Sequence, residues 1–205
     1  MPSPVGFPRL RAALLTALLA GLAAPSAAKA DDNLLHGPHP FLKDNELDAH
    51  MLVATGLGDS MGGAKLALDY GYKLWGGLVP FGLDFAINVQ HATCADTQPS
   101  GICTMDTGTL FETLAGVKWK FATPIPLVPY AVAQAGLAYA FPSGADAAAG
   151  FIVRAVGGAN YFFFDWFGLG AQVGFSLGSL DYDSTFSGRH GYAVFDVGGG
   201  VEFQF

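Results

Sequence analysis

The chain has 205 residues, a formal net charge of −7, 51% hydrophobic residues and 13% charged ones, with 28 glycines and 17 phenylalanines. This acidic balance makes nucleic acid an unsuitable partner, because phosphate binding needs a basic face. So much hydrophobicity with so little charge does not suit an ordinary water-soluble domain, yet no stretch after residue 30 offers the ~18 uninterrupted apolar residues of a transmembrane helix.

Residues 1–30 read as a cleaved secretory signal peptide. Arg9 and Arg11 make a basic start, Ala12 to Ala24 a short apolar core, and Ala28-Lys29-Ala30 a small-x-small cleavage site. Leu10 separates the two arginines, which argues against a twin-arginine signal, and no cysteine near the site supports a lipid anchor. Cleavage would take Arg9, Arg11 and Lys29 from the ten basic residues, leaving seven against seventeen acids. Residues 31–46 follow as an expected periplasmic N-terminal segment. His36 and His39 in it flank Gly37-Pro38 and read as a solvated tail, not as a metal site.

Residues 47–205 then show eight segments in which every second side chain is apolar, the signal of a half-buried strand. Their apolar faces begin with Leu47, Met51, Val53 and Leu57, then Leu66, Leu68, Tyr70 and Tyr72, then Phe81, Leu83, Phe85, Ile87 and Val89. Phe111, Val117, Trp119 and Phe121 mark the fourth, Ala131 to Tyr139 the fifth, and Phe151, Val153 and Ala155 the sixth. Leu169, Val173, Phe175 and Leu177 mark the seventh, and Phe195, Val197, Val201, Phe203 and Phe205 the last. A strand needs about 9–11 residues to cross a bilayer, and each segment supplies them. The expected fold is therefore all-β: a closed, antiparallel, up-and-down transmembrane barrel of eight strands.

The connections alternate in character. Trp75 to Leu78, Thr123 to Pro126 and Phe162 to Trp166 are tight and apolar-aromatic, whereas Asp59 to Gly62, His91 to Gly108, Pro142 to Ala149 and Ser179 to His190 are polar and acidic. Outer-membrane barrels have short periplasmic turns and longer external loops. Both termini are thus expected in the periplasm, with Trp75, Trp119 and Trp166 forming a periplasmic aromatic girdle. Cys94 and Cys103 are the only cysteines and flank Pro99 to Gly101 in the longest external loop. Export to an oxidising compartment predicts a disulfide between them.

The opposite face of the strands carries Asp48, Lys65, Asp69, Lys73, Asp84, Glu112, Lys118, Lys120, Arg154, Asp196 and Glu202, with His50, Asn88, Gln90, Gln134, Asn160, Gln172 and Gln204. An eight-stranded barrel is just wide enough for its own side chains to fill. The charges are expected to pair in two clusters. Asp48, Lys73, Asp84, Lys118, Lys120 and Glu202 fall towards the periplasmic end, and Lys65, Asp69, Glu112, Arg154 and Asp196 fall higher. Inward glycines such as Gly71 and Gly174 leave room for the long side chains opposite.

The signal peptide, the eight segments and the terminal phenylalanine resemble the small outer-membrane barrels of the OmpA/OmpX type, over residues 47–205 and in architecture rather than in a diagnostic motif. The resemblance implies that Val201, Phe203 and Phe205 act as the sorting signal read by the barrel assembly machinery during biogenesis. The peptidoglycan-binding domain of OmpA proteins has no counterpart in this sequence, and its function is not carried over. Some barrels of this size modify lipid A with a His and a Ser near the outer rim. Here His91 with Thr93, and His190 with Ser187, show no nucleophile–base–orienter spacing, so an enzyme is not the expected reading. No catalytic residue, metal site or cofactor is assigned. The expectation is a monomeric structural or surface-interaction barrel in the outer membrane of a Gram-negative bacterium, with outer-membrane lipid around it. A narrow channel is the alternative, and a lipid A-modifying enzyme a second one.

Overall fold

The computed structural model describes residues 43–57, 62–75, 81–93, 107–121, 123, 125–143, 147–182 and 188–205. They form eight strands: β1 Asn45–Leu57, β2 Gly62–Trp75, β3 Phe81–Thr93, β4 Thr107–Lys120, β5 Leu127–Pro142, β6 Ala148–Phe164, β7 Phe167–Tyr182 and β8 Gly188–Gln204. Each strand pairs antiparallel with its chain neighbours, and β1 pairs with β8, so the sheet is a closed barrel. Closure removes the open edges whose backbone groups nothing in hydrocarbon could satisfy. The seam holds to the last residue. Asn45 and Phe205 exchange backbone hydrogen bonds of 3.1 and 2.9 Å, and Tyr70 Oη donates to Asn45 Oδ1 at 2.8 Å.

The strand extents differ from the sequence expectation at their ends. β1 begins at Asn45, not Leu47, which brings Glu46 into the barrel wall. The stretch from Ser179 to His190, expected as a loop, is mostly hairpin. β7 and β8 go on pairing through Leu180↔His190 and Tyr182↔Gly188, because Leu180 still points inward and is 1% exposed. The expected tight turn from Phe162 to Trp166 contracts to Asp165 and Trp166, with a register shift between Phe162 and Phe164.

The two faces separate as the alternation requires. The outer surface is apolar, with Met51 77%, Val53 65% and Leu137 50% exposed. In water a continuous surface of this kind would be an aggregation hazard; in hydrocarbon it is the solvated face. Among the described residues, side chains fill the interior. Towards the loop end, opposite the end holding residues 43 and 205, Leu110, Ala140, Ala148, Ile152, Leu180, Tyr192 and Val194 belong to one buried apolar cluster.

Candidate functional site

The polar interior lies between that apolar cluster and the end holding residues 43 and 205. Three polar layers stand there in place of the expected two clusters, and each follows from which strands face one another.

The layer nearest that end is built on Lys118 and Lys120, side chains two apart on β4 and so on the same face. Lys118 Nζ lies 2.6 Å from Glu46 Oε1 and 2.5 Å from Asp48 Oδ2, both on β1. Lys120 pairs with Glu46 and with Glu202 of β8. Glu202 also accepts from the amides of Asn160 and Gln204. Lys118 sits 4.8 Å above the ring of Tyr130, whose hydroxyl donates to Gln172 Oε1 at 2.9 Å. A side chain at Gly71 would collide with Glu46, its Cβ reaching to 2.6 Å from Glu46 Cγ, so the glycine makes the space that the carboxylate fills. Beside this layer remains a cavity of about 30 Å³, lined by Glu46, Lys73, Lys118 and Lys120 among others. That volume suits a water or two.

The middle layer has no cation in contact among the described residues. Gln134 Nε2 donates to Asp84 Oδ2 at 2.5 Å and lies 3.5 Å from Asp69 Oδ1. The third layer joins five strands. Lys65 Nζ is 2.9 Å from Glu112 and 3.4 Å from Asp196, Arg154 grips Asp196 at 2.7 and 2.8 Å, and Asn88 donates to Glu112 at 2.7 Å. His50 is buried at mid-height, 2% exposed, between the first and third layers.

Three sequence expectations are corrected. Lys73, expected in the periplasmic-end cluster, pairs at the rim with Asp44 at 2.9 Å, where β2 shifts register between Lys73 and Trp75, while still lining the cavity beside the first layer. Asp84 and Asp69, expected in different clusters, share Gln134 because β2 and β3 are neighbours in register. Glu46, which bridges both lysines of the first layer, was not anticipated. Its signal was there in the sequence: counting the even-numbered inward face back from Asp48 arrives at Glu46.

Those of the remaining expected residues whose side chains are described lie on the outside. Trp119 and Trp166 are 36% and 51% exposed at the end holding residues 43 and 205; Trp75 closes β2 at that end, and its side chain lies outside the described residues. Trp166 stacks on Phe164 at 5.8 Å and on Phe203 at 6.2 Å, and Phe167 meets Phe203 at 5.4 Å, so the aromatic rim is continuous across β6, β7 and β8. Phe203 and Phe205 are 38% and 60% exposed, with Val201 half-buried on the same face. His91 faces outward, opposite Thr109 on β4. The side chains of Thr93 and His190, and all of Ser187, Cys94, Cys103 and residues 1–42, His36 and His39 included, lie outside the described residues.

No protein-family model matches the chain, and no curated protein matches it. Solved structures do. Neisserial surface protein A superposes with a TM-score of 0.54 at 17% identity, over 78% of this chain and 96% of that one. The outer membrane enzyme PagL gives 0.51 at 14%, over 77% and 99%. The N-terminal β-barrel domain of Pseudomonas aeruginosa OprF gives 0.42 at 18%, over 79% and 100%. At such identities the fold is what is shared, and one fold hosts many functions. The closed ring, its apolar outer wall and its packed interior give this chain the fold of the small eight-stranded outer-membrane barrels, consistent with the OmpA/OmpX type.

Proposed function

We propose that this protein is a surface-interaction barrel of the Gram-negative outer membrane, in which the barrel is an anchor and the external loops carry the contacts. The observation that supports this reading is the filled interior. Paired charges occupy one part of it, and Leu110, Ile152, Leu180, Tyr192 and Val194 pack across the other. A barrel that spends its bore on internal packing has its outer rims left for function. The apolar outer wall supports membrane residence, and the aromatic rim supports placing the end with residues 43 and 205 at the periplasmic interface.

Purified protein in planar bilayers tests the reading. No stepwise conductance is expected, together with loop-dependent binding of intact cells to host-type or abiotic surfaces. Sustained single-channel steps would replace the anchor with a narrow channel. The outer membrane enzyme PagL has the same fold, so mass spectra of lipid A from cells with and without the chain address the enzyme reading. Identical spectra are expected.

A further inference from the structure

The register of the seam contains an electrostatic conflict. Asp48 on β1 stands opposite Asp69 on β2 and, across the closing seam, opposite Glu202 on β8. All three point into the lumen, so three carboxylates form one row across three adjacent strands. Side chains directly opposite in an antiparallel pair have Cβ atoms about 5 Å apart, and like charges so placed oppose the pairing. Away from water the opposition is stronger, and Asp48 and Glu202 are 1% and 0% exposed. The β1–β2 pair is a hairpin that a short connection holds together. The β1–β8 pair joins the ends of the barrel, 160 residues apart at Asn45 and Phe205, and must overcome the greatest loop-closure entropy of any pair in the ring.

What neutralises the row at the seam comes from the far wall. β4 is four strands from β8 in either direction round the ring, directly across the lumen. From it Lys118 reaches Asp48 and Glu46 on β1, and Lys120 reaches Glu202 on β8 and Glu46 on β1. Glu46 takes both ammonium groups and ties the two lysines into one unit. Neither seam strand supplies a cation of its own to this layer; the amides of Asn160 and Gln204 assist Glu202 without neutralising it. We infer that Lys118 and Lys120 are the closure staple of this barrel: β1 and β8 can pair only when both lysines stand between their carboxylates. The opposite wall must then be in place before the seam forms, so the ring closes last at β1–β8 and closes in one register. A one-residue slip would turn Asp48 or Glu202 out towards lipid.

The test uses cross-strand cysteines on the lipid-facing wall, in the full chain with Cys94 and Cys103 changed to serine, refolded from urea into phosphatidylcholine vesicles. Val53→Cys with Val197→Cys reports the seam, because these residues are partners between β1 and β8. Ala133→Cys with Ala155→Cys reports an ordinary hairpin, β5–β6. Lys118→Met with Lys120→Met should reduce the seam crosslink at least about tenfold, since removing the partner of a buried charge is strongly unfavourable, while the β5–β6 crosslink persists. Adding Glu46→Gln, Asp48→Asn and Glu202→Gln to the two lysine changes should restore the seam crosslink, because no charge then needs the staple. A seam crosslink that survives loss of both lysines would overturn the inference. So would equal loss of both crosslinks, which would mean a general packing role, or a seam that stays open after the acids are neutralised.

Discussion

Arg154 on β6 reaches past β7 to hold Asp196 on β8 with both arms of its guanidinium, at 2.7 and 2.8 Å. The crossing works because the β7 residue beneath it is Gly174, where a Cβ would lie 2.8 Å from Arg154 Nη2. Arg154 is 4% exposed and Asp196 0%. Removing one partner of such a pair leaves a stranded charge. Arg154→Met alone is therefore expected to destabilise the barrel by about 3–5 kcal/mol, and Arg154→Met with Asp196→Leu by much less. Gly174→Ala should cost about 1–3 kcal/mol by pushing into the pair. Urea titration in lipid vesicles, read by heat-modifiable gel mobility, checks all three.

The outer wall separates a membrane barrel from a soluble one. Met51, 77% exposed near the middle of β1, is a position where a water-soluble protein would accept arginine almost without effect. Facing hydrocarbon, Met51→Arg should cost about 2–4 kcal/mol. Unfolding midpoints of parent and variant in vesicles decide this, and equal midpoints would refute a lipid-facing wall.

Trp166 is expected at the membrane interface, half exposed and stacked between Phe164 and Phe203. In a Trp75→Phe, Trp119→Phe background its emission should be quenched strongly by lipids brominated high on the acyl chain and weakly by lipids brominated near the chain end. Stronger quenching from the chain end would place this rim inside the bilayer.

A disulfide between Cys94 and Cys103 is expected to pin the loop between β3 and β4, with a stabilisation of roughly 2–3 kcal/mol on the chain-entropy model. Non-reduced, denatured protein from cells should then offer no alkylatable thiol. Changing both cysteines to serine should leave the gel shift intact and speed protease cleavage within the loop. Two free thiols would refute the bond.

The sequence alone determined the number of strands, their order and the face each residue takes. Those properties follow from local stereochemistry: a period of two separates Met51, Val53 and Thr55 from Leu52, Ala54 and Gly56 whatever the rest of the chain does. It placed Asp48, Lys118, Lys120 and Glu202 inside for the same reason. It did not show who meets whom. That Asp84 and Asp69 share Gln134, that Lys73 pairs with Asp44, and that Arg154 reaches Asp196 past a glycine depend on register and on distances across the ring. The row Asp69–Asp48–Glu202 is likewise invisible until β1 is aligned against β2 and β8. The physical reason is one of range. Alternation is fixed within a strand by backbone geometry, whereas register and cross-lumen pairing are fixed only when the sheet closes and charges 70 residues apart, as Asp48 and Lys118 are, or 131 apart, as Lys65 and Asp196 are, must neutralise one another in a bore with little room for water to do it.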